Sequence, residues 1–296
     1  MLKRFLSDPH FLFRYYLGNA GAFILALACL TAYSPWFDMA LYWPWIVLLL
    51  PLALGGLVTV ILCGLSYTIL FFFMSRQPLH DWYILLPFLG ILFGLYALAF
   101  VHLAGHHALG RNWLSRLIGE LLSVPLLIGY PGWCVIHTLH HKHTDDPILD
   151  PHPTGEKDFL EFGGFMKKAM IDRIGDLYKK TFADRKHHRL EWEITKSLLV
   201  INRLLRAFFI FLLLNPLGFV LFYVPAFIAQ TAFFIHFNWV THRSTGDGRY
   251  QVLNIDKGIY YRVINTLLFG AYYHKNHHLL PGLFDPRNLD RNNGVE

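Results

Sequence analysis

Apolar residues fall in long runs along this chain, separated by polar stretches in which histidine recurs. The runs extend from about Leu17 to Ala32, from Leu41 to Met74 and from Tyr83 to Val101, and a last apolar region reaches Phe237. A helix needs about 20 mostly apolar residues to cross a hydrocarbon core of about 30 Å. The first run opens late for a secretory signal and lacks a convincing small-x-small cleavage site, so it is expected to stay as a membrane helix. The second would be about 50 Å long as one helix, so it is either strongly tilted or a hairpin breaking near Pro51, Gly55 and Gly56. The third flows without a breaker into His102, which sets a histidine at the end of a membrane helix.

Between Gly110 and about Thr195 the chain turns polar and basic, although Leu114 to Tyr130 is apolar enough to lie on the membrane interface. Arg111, Arg116, Lys142, Lys167, Lys168, Lys179, Lys180, Arg185 and Lys186 make this long loop cytoplasmic by the positive-inside rule. The apolar region that follows must leave and return to that side if later histidines are to meet earlier ones, most simply as a hairpin. Its turn falls at Asn215-Pro216 or between Tyr223 and Pro225. Arg203 and Arg206 favour the later turn, which keeps both cations near the cytoplasmic end instead of deep in lipid. Lys3, Arg4 and Arg14 place the N-terminus inside if Leu41 to Met74 is a hairpin, whereas a single crossing there puts it outside.

Composition fits this pattern. Hydrophobic residues are 54% of the chain and aromatics 17%, with a mean hydropathy of +0.37, above the roughly 45–50% apolar content of soluble domains. The expected fold is an all-α integral membrane protein of roughly four to six transmembrane helices, with a cytoplasmic helical cap, in a single domain over residues 1–296. Cys29, Cys63 and Cys134 are widely spaced and include no C-x-x-C pair, which argues against a disulfide framework or a thiolate metal site.

The candidate chemistry lies in three histidine clusters: His102-Leu-Ala-Gly-His106-His107, His137-Thr-Leu-His140-His141 and His274-Lys-Asn-His277-His278. On a helix, positions i, i+3 and i+4 point within about 100° of one another, so each cluster presents several imidazoles on one face. Neutral imidazole suits iron, copper, zinc and nickel, and eight or more such ligands exceed the needs of one ion. Two metals are implied. His10, His80, His143, His152, His187, His188 and His236 lack this spacing and read as ordinary solvated or hydrogen-bonded side chains. In the first cluster His106 lies about 40° from His102 on an ideal helix and His107 about 140°; a π-bulge would bring His107 into place instead.

The order H-x-x-x-H, H-x-x-H-H, H-x-x-H-H between hydrophobic hairpins resembles the membrane fatty acid desaturase and hydroxylase superfamily, over about Tyr83 to Asp285. The His102 cluster looks most like the first box of acyl-lipid desaturases. In addition, Asn238-Trp-Val-Thr-His242 resembles an N-x-x-x-H segment in which the histidine binds metal and the asparagine acts through water. The resemblance implies a di-iron site held by His102, His106, His107, His137, His140, His141, His242, His274, His277 and His278, with a water-mediated contact from Asn238. It also implies dioxygen as co-substrate, two electrons per turnover and a hydrocarbon chain in an apolar tunnel. Imidazoles carry no negative charge, so nearby acids are needed to orient them. Asp145, Asp146 and Asp150 follow the second box directly, with Glu120, Asp158 and Asp256 as further candidates.

No Gly-rich dinucleotide fingerprint, cysteine cluster or H-P-G-G segment is present, so no fused cytochrome b5, flavin or nicotinamide site is expected. Electrons would come from a separate donor such as a ferredoxin or cytochrome b5. The basic loop and the net charge of +6 would attract such a donor, usually acidic, although positive-inside topology explains the same charge; neither reading supports nucleic-acid binding. The reaction expected is desaturation of a lipid acyl chain. The alternatives are a related di-iron hydroxylase, ketolase or terminal-alkene-forming decarboxylase and, from a different class, a non-catalytic metal transporter or haem protein.

Overall fold

The computed structural model describes residues 1–33, 81–110, 112–244 and 250–289, with positions 57, 61, 64 and 65 besides. Whether Leu41 to Met74 forms a hairpin lies outside the described residues. Ten helices are described: α1 (Leu2–Ser7), α2 (Phe11–Tyr33), α3 (Leu86–Gly105), α4 (Trp113–Ser123), α5 (Tyr130–Lys142), α6 (Phe159–Thr181), α7 (His188–Gly218), α8 (Val224–Thr241), α9 (Ile259–Leu267) and α10 (His274–Leu279). A short antiparallel ribbon, β1 (His242–Ser244) with β2 (Tyr250–Val252), is the small departure from an all-helical chain. Four described segments are long and apolar enough to cross a membrane: Phe11–Ala32, Tyr83–Gly105, His188–Asn215 and Phe219–Thr241.

Close packing of α3 on the last span follows from two small residues. A Cβ at Gly90 would fall on the carbonyl of Phe222, and one at Gly94 on the carbonyl of Ala226. This G-x-x-x-G spacing lets two helix backbones approach where lipid offers no hydrophobic drive for association. Overpacking costs about 1–3 kcal/mol at such a contact. Gly94→Leu is therefore expected to lower the thermal stability of the purified protein, and an unchanged melting temperature would contradict the contact.

The hairpin turns at Asn215, not between Tyr223 and Pro225. Asn215 adopts φ 58° and ψ 170°, while residues 219–223 continue as a π-helical turn into α8. A residue before proline is pushed out of helical backbone. The Asn215 side chain accepts hydrogen bonds from the Leu217 and Gly218 amides, at 2.9 and 3.1 Å, capping the turn that follows. Beyond the break the chain folds back, with Phe211 against Phe219 at 5.4 Å between ring centroids.

The expectation for a later turn failed because Arg206 needs no access to water. The residue is 2% exposed, and its guanidinium donates to the carbonyls of Ser123 and Ile128, the Tyr15 hydroxyl and Asn19 Oδ1. Tyr15 in turn donates to Glu120 at 2.7 Å. Those four hydrogen bonds and the nearby Glu120 carboxylate stabilise the buried charge, while Nε is buried without a partner. This network ties α2, α4 and α7 together.

Two short helices carry apolar faces outward. In α4, Leu114, Leu117 and Leu121 are exposed while Ser115, Gly119 and Ser123 are buried, and in α9 Ile259, Val263 and Leu267 are exposed. That inversion suits helices lying in a membrane interface.

Candidate metal centre

The first cluster sits where α3 stops. The Ala108 amide donates to the Leu103 carbonyl at 2.9 Å and the His107 amide to the Ala104 carbonyl at 3.1 Å. His107 has φ 59°. This is a Schellman ending with His107 in the left-handed cap position, a conformation in which histidine is enriched among non-glycine residues. His102 and His106 share the helix face, one turn apart. His107 is turned away by the cap and joins neither histidine cluster, so of the ten expected ligands nine converge. No π-bulge forms in α3. His106→Ala is expected to lose iron, whereas His107→Gly, which suits the left-handed backbone, keeps it; metal per chain in the purified variants is the measurement.

The nine divide into two sets. His102, His106, His137, His141 and His277 form one; His140, His242, His274 and His278 form the other. The division follows from helix geometry. Positions i and i+4 lie about 40° apart, whereas i+3 is rotated about 100° from i+4. Thus His137 and His141 enter the first set and His140 the second, while His274 and His278 enter the second and His277 the first. Each H-x-x-H-H box therefore serves both sets, and the adjacent histidines diverge.

Within each set the Nε2 atoms converge. Separations are 3.2 Å for His137–His141, 3.0 Å for His141–His277, 3.0 Å for His242–His274 and 3.1 Å for His274–His278. Ligand atoms about 2.1 Å from one ion and 90° apart would be about 3.0 Å from each other. The Nε2 atoms of His102, His106 and His140 are buried without a hydrogen-bond partner. Orphaned buried polar atoms are costly. This donor set fits two cations.

For His140, His242 and His278 the outer nitrogen explains why Nε2 faces inward, whereas Nδ1 of His141 and of His274 is buried without a partner. His140 Nδ1 donates to Asp150 at 3.0 Å, His242 Nδ1 donates to Asp145 at 2.8 Å, and His278 Nδ1 lies 3.1 Å from the Thr144 hydroxyl. Such partners fix the tautomer and the ring orientation. Asp150, fully buried, also accepts from the amides of Asp145 and His152 at 2.7 and 2.9 Å. Asp145 itself sits at φ 58°. Asp146 does something else: its side chain accepts from the Ile148 and Leu149 amides, at 2.8 Å each, and builds the turn. Asp158 caps α6, Glu120 belongs to the Arg206 network, and Asp256 accepts from the Tyr273 hydroxyl.

Burial, reinforced by repulsion among neighbouring imidazolium charges, holds His137, His140, His274 and His277 well below the ordinary histidine value and lowers His141 to about 3. His106 and His278 are lowered for the same reasons. All seven are neutral near pH 7, the form that binds metal. His152, which lacked box spacing, was missed by sequence reasoning. It is buried and stacks on His140 at 4.3 Å between ring centroids, where Asp150 holds its amide.

Two cavities approach the histidines. The smaller, about 70 Å³, is lined by His102, His137, His277 and Asn238 together with Phe233 and Phe237. Asn238 donates to the Phe234 carbonyl at 2.7 Å. A larger apolar cavity of about 200 Å³ shares Leu98, Trp133 and Phe234 with it. Trp133 stacks on His137 at 4.7 Å, and Gly105 leaves room for its ring.

A family model described as fatty acid desaturase matches residues 80–285, which carry all nine converging histidines. The chain belongs to the fatty acid desaturase family. Among curated relatives, an sn-1 oleoyl-lipid 12-desaturase of Anabaena variabilis is 30% identical over 120 residues, covering 38% of this chain and 32% of the relative. An enzyme of the same name from Picosynechococcus is 33% identical over 70 residues, covering 22% of this chain and 20% of its own. An sn-1 acyl-lipid omega-3 desaturase (ferredoxin) of Nostoc is 32% identical over 80 residues, covering 26% and 21%. The chain thus spans about a fifth to a third of the curated relatives it matches. No solved structure matches it significantly. For this desaturase-family chain, the resemblance read from Tyr83 to Asp285 and the family match agree closely in extent.

Proposed function

We propose that this protein is an oxygen-dependent membrane di-iron desaturase acting on a lipid-linked acyl chain. The observation that carries the reading is two convergent histidine sets beside an apolar cavity, within a chain of the desaturase family. His102, His106, His137, His141 and His277 would hold one iron, and His140, His242, His274 and His278 the other. Two irons there would supply dioxygen activation for cleavage of unactivated C–H bonds. Asp145 and Asp150 orient His242 and His140. Asn238 faces the space next to the first set, where a water can bridge it to metal. Leu98, Trp133 and Phe234 bound the path of the chain and keep water from the reacting carbons.

Desaturation is favoured over hydroxylation, ketolation or decarboxylation by the named activities of the three relatives. A ferredoxin is the favoured external donor, since one relative carries that donor in its name. The basic character of the loop between Gly110 and about Thr195 supports a cytoplasmic site. Expression in a bacterial host fed deuterated fatty acids, followed by mass spectrometry of the lipids, tests the reaction. Products that have lost two deuterium atoms from adjacent carbons are expected. A hydroxylated chain or a terminal alkene as main product would move the reading to the corresponding relative, and an unchanged profile with an active donor present would overturn it.

A further inference from the structure

Tyr272 is fully buried two residues before His274 of the second histidine set, and its hydroxyl is held between two partners. It lies 2.8 Å from His236 Nδ1 and 3.1 Å from the Tyr260 hydroxyl. The Tyr272 ring packs 5.7 Å from Phe237, and Phe237 packs 4.5 Å from His274, between ring centroids. On the other side Tyr272 is 6.0 Å from Tyr260, which is 47% exposed. The backbone is fixed as well, because the Tyr272 amide donates to Asn265 Oδ1 at 2.7 Å and its carbonyl accepts from Ile255. Aromatic rings thus run without a gap from a histidine of the second set to solvent. The one buried phenol on that line has a histidine nitrogen placed to take its proton.

We propose that Tyr272, His236 and Tyr260 form an electron relay that discharges oxidising equivalents formed at the histidine centre when no acyl chain is there to consume them. The proposal rests on the di-iron reading. In the first step Tyr272 would give one electron, by way of Phe237 and His274, to the centre after hydrogen peroxide has oxidised it, two such electrons with two protons from water accounting for one peroxide reduced to two waters. Its phenolic proton passes to His236 Nδ1, leaving a neutral tyrosyl radical beside an imidazolium. In the second step Tyr260 gives an electron to Tyr272, the proton returns from His236 to the Tyr272 oxygen, and the Tyr260 proton leaves to water. A small reductant such as ascorbate or a thiol then donates a hydrogen atom to Tyr260 at the surface. The hydrogen bonds alone would equally satisfy three polar groups, so the test must detect the radical and not only the fold.

The full chain in micelles of a steroid-based detergent that carries no acyl chains, loaded with iron and stripped of lipid, is mixed with hydrogen peroxide and freeze-quenched for electron paramagnetic resonance. The expected result is an organic radical whose hyperfine pattern narrows when the protein is grown on ring-deuterated tyrosine. Tyr272→Phe should lose that signal at equal iron content. Tyr260→Phe should keep it but slow its decay by ascorbate, because the surface exit is removed. A signal of equal size in Tyr272→Phe, or none in iron-loaded wild type, overturns the relay while leaving the di-iron reading intact. If Tyr272→Phe does not fold, Tyr260→Phe decides, and an unchanged decay overturns the relay. A chain that binds no iron defeats the di-iron reading, and the relay falls with it.

Discussion

Replacing His277 or His274 with alanine is expected to abolish turnover, with each variant losing one metal ion and keeping the other. His277 belongs to the first histidine set and His274 to the second, although they stand three residues apart on one helical turn. Iron per chain should fall from about two to about one in either variant, since an intact ligand set remains for the other ion. His141→Ala should match the His277 variant, because their Nε2 atoms are 3.0 Å apart in the first set. His278→Ala should match the His274 variant, at 3.1 Å in the second. Metal analysis of the double variants separates this division from a single shared site. Loss within one set leaves about one iron, and loss across both leaves none. Two irons retained in His274→Ala, or both lost from every single variant, would contradict it.

Asp150→Ala is expected to lower metal affinity and turnover about 10- to 100-fold, the usual consequence of removing a carboxylate that orients a metal-binding histidine. The carboxylate holds His140 Nδ1 at 3.0 Å and two backbone amides, so its loss frees the ring to rotate and leaves buried donors unpaired. Asp150→Asn retains the shape and should fall between the variant and wild type. Asp146→Ala is the control. Its carboxylate serves an exposed turn, and surface changes of that kind stay within about 0.5 kcal/mol. Iron titration of the three variants beside wild type gives the ranking, and equal losses in Asp146→Ala and Asp150→Ala would undo the assignment.

The elements that were legible in the sequence are those whose signal is local. Run length marked the spans, because the hydrocarbon thickness acts on each helix separately. Box spacing marked histidine as the ligand type, because the rise and twist of a helix place i and i+4 on one face whatever surrounds them. The choice of His106 over His107 was also half visible, since 40° and 140° differ by more than a straight helix can absorb. What removed His107 was a left-handed cap that no histidine pattern announces. The turn at Asn215 was misjudged for a related reason. The sequence displays the charge of Arg206, but not the two carbonyls, the Tyr15 hydroxyl and the Asn19 oxygen that gather around it from α2, from α4 and from the turn after α4.

Composition, apolar runs and the three boxes by themselves determined a helical membrane protein with a histidine-rich metal centre, for they depend on solvent, helical period and ligand chemistry alone. Helix geometry pairs i with i+4 inside each box, but only the tertiary structure decided which pair of one box meets which histidines of the others, because that depends on how α3, α5, α10 and the end of α8 are packed and rotated. It alone separated Asp145 and Asp150, which hold histidines, from Asp146 one residue away, which shapes a turn. It also brought His152 and Tyr272 into view, since their roles come from neighbours distant in the chain and not from spacing. A periodic pattern reports the direction of a side chain from its own helix; what that side chain meets is set by the docking of other helices, where the Gly90 and Gly94 contacts with Phe222 and Ala226 have no counterpart in local sequence.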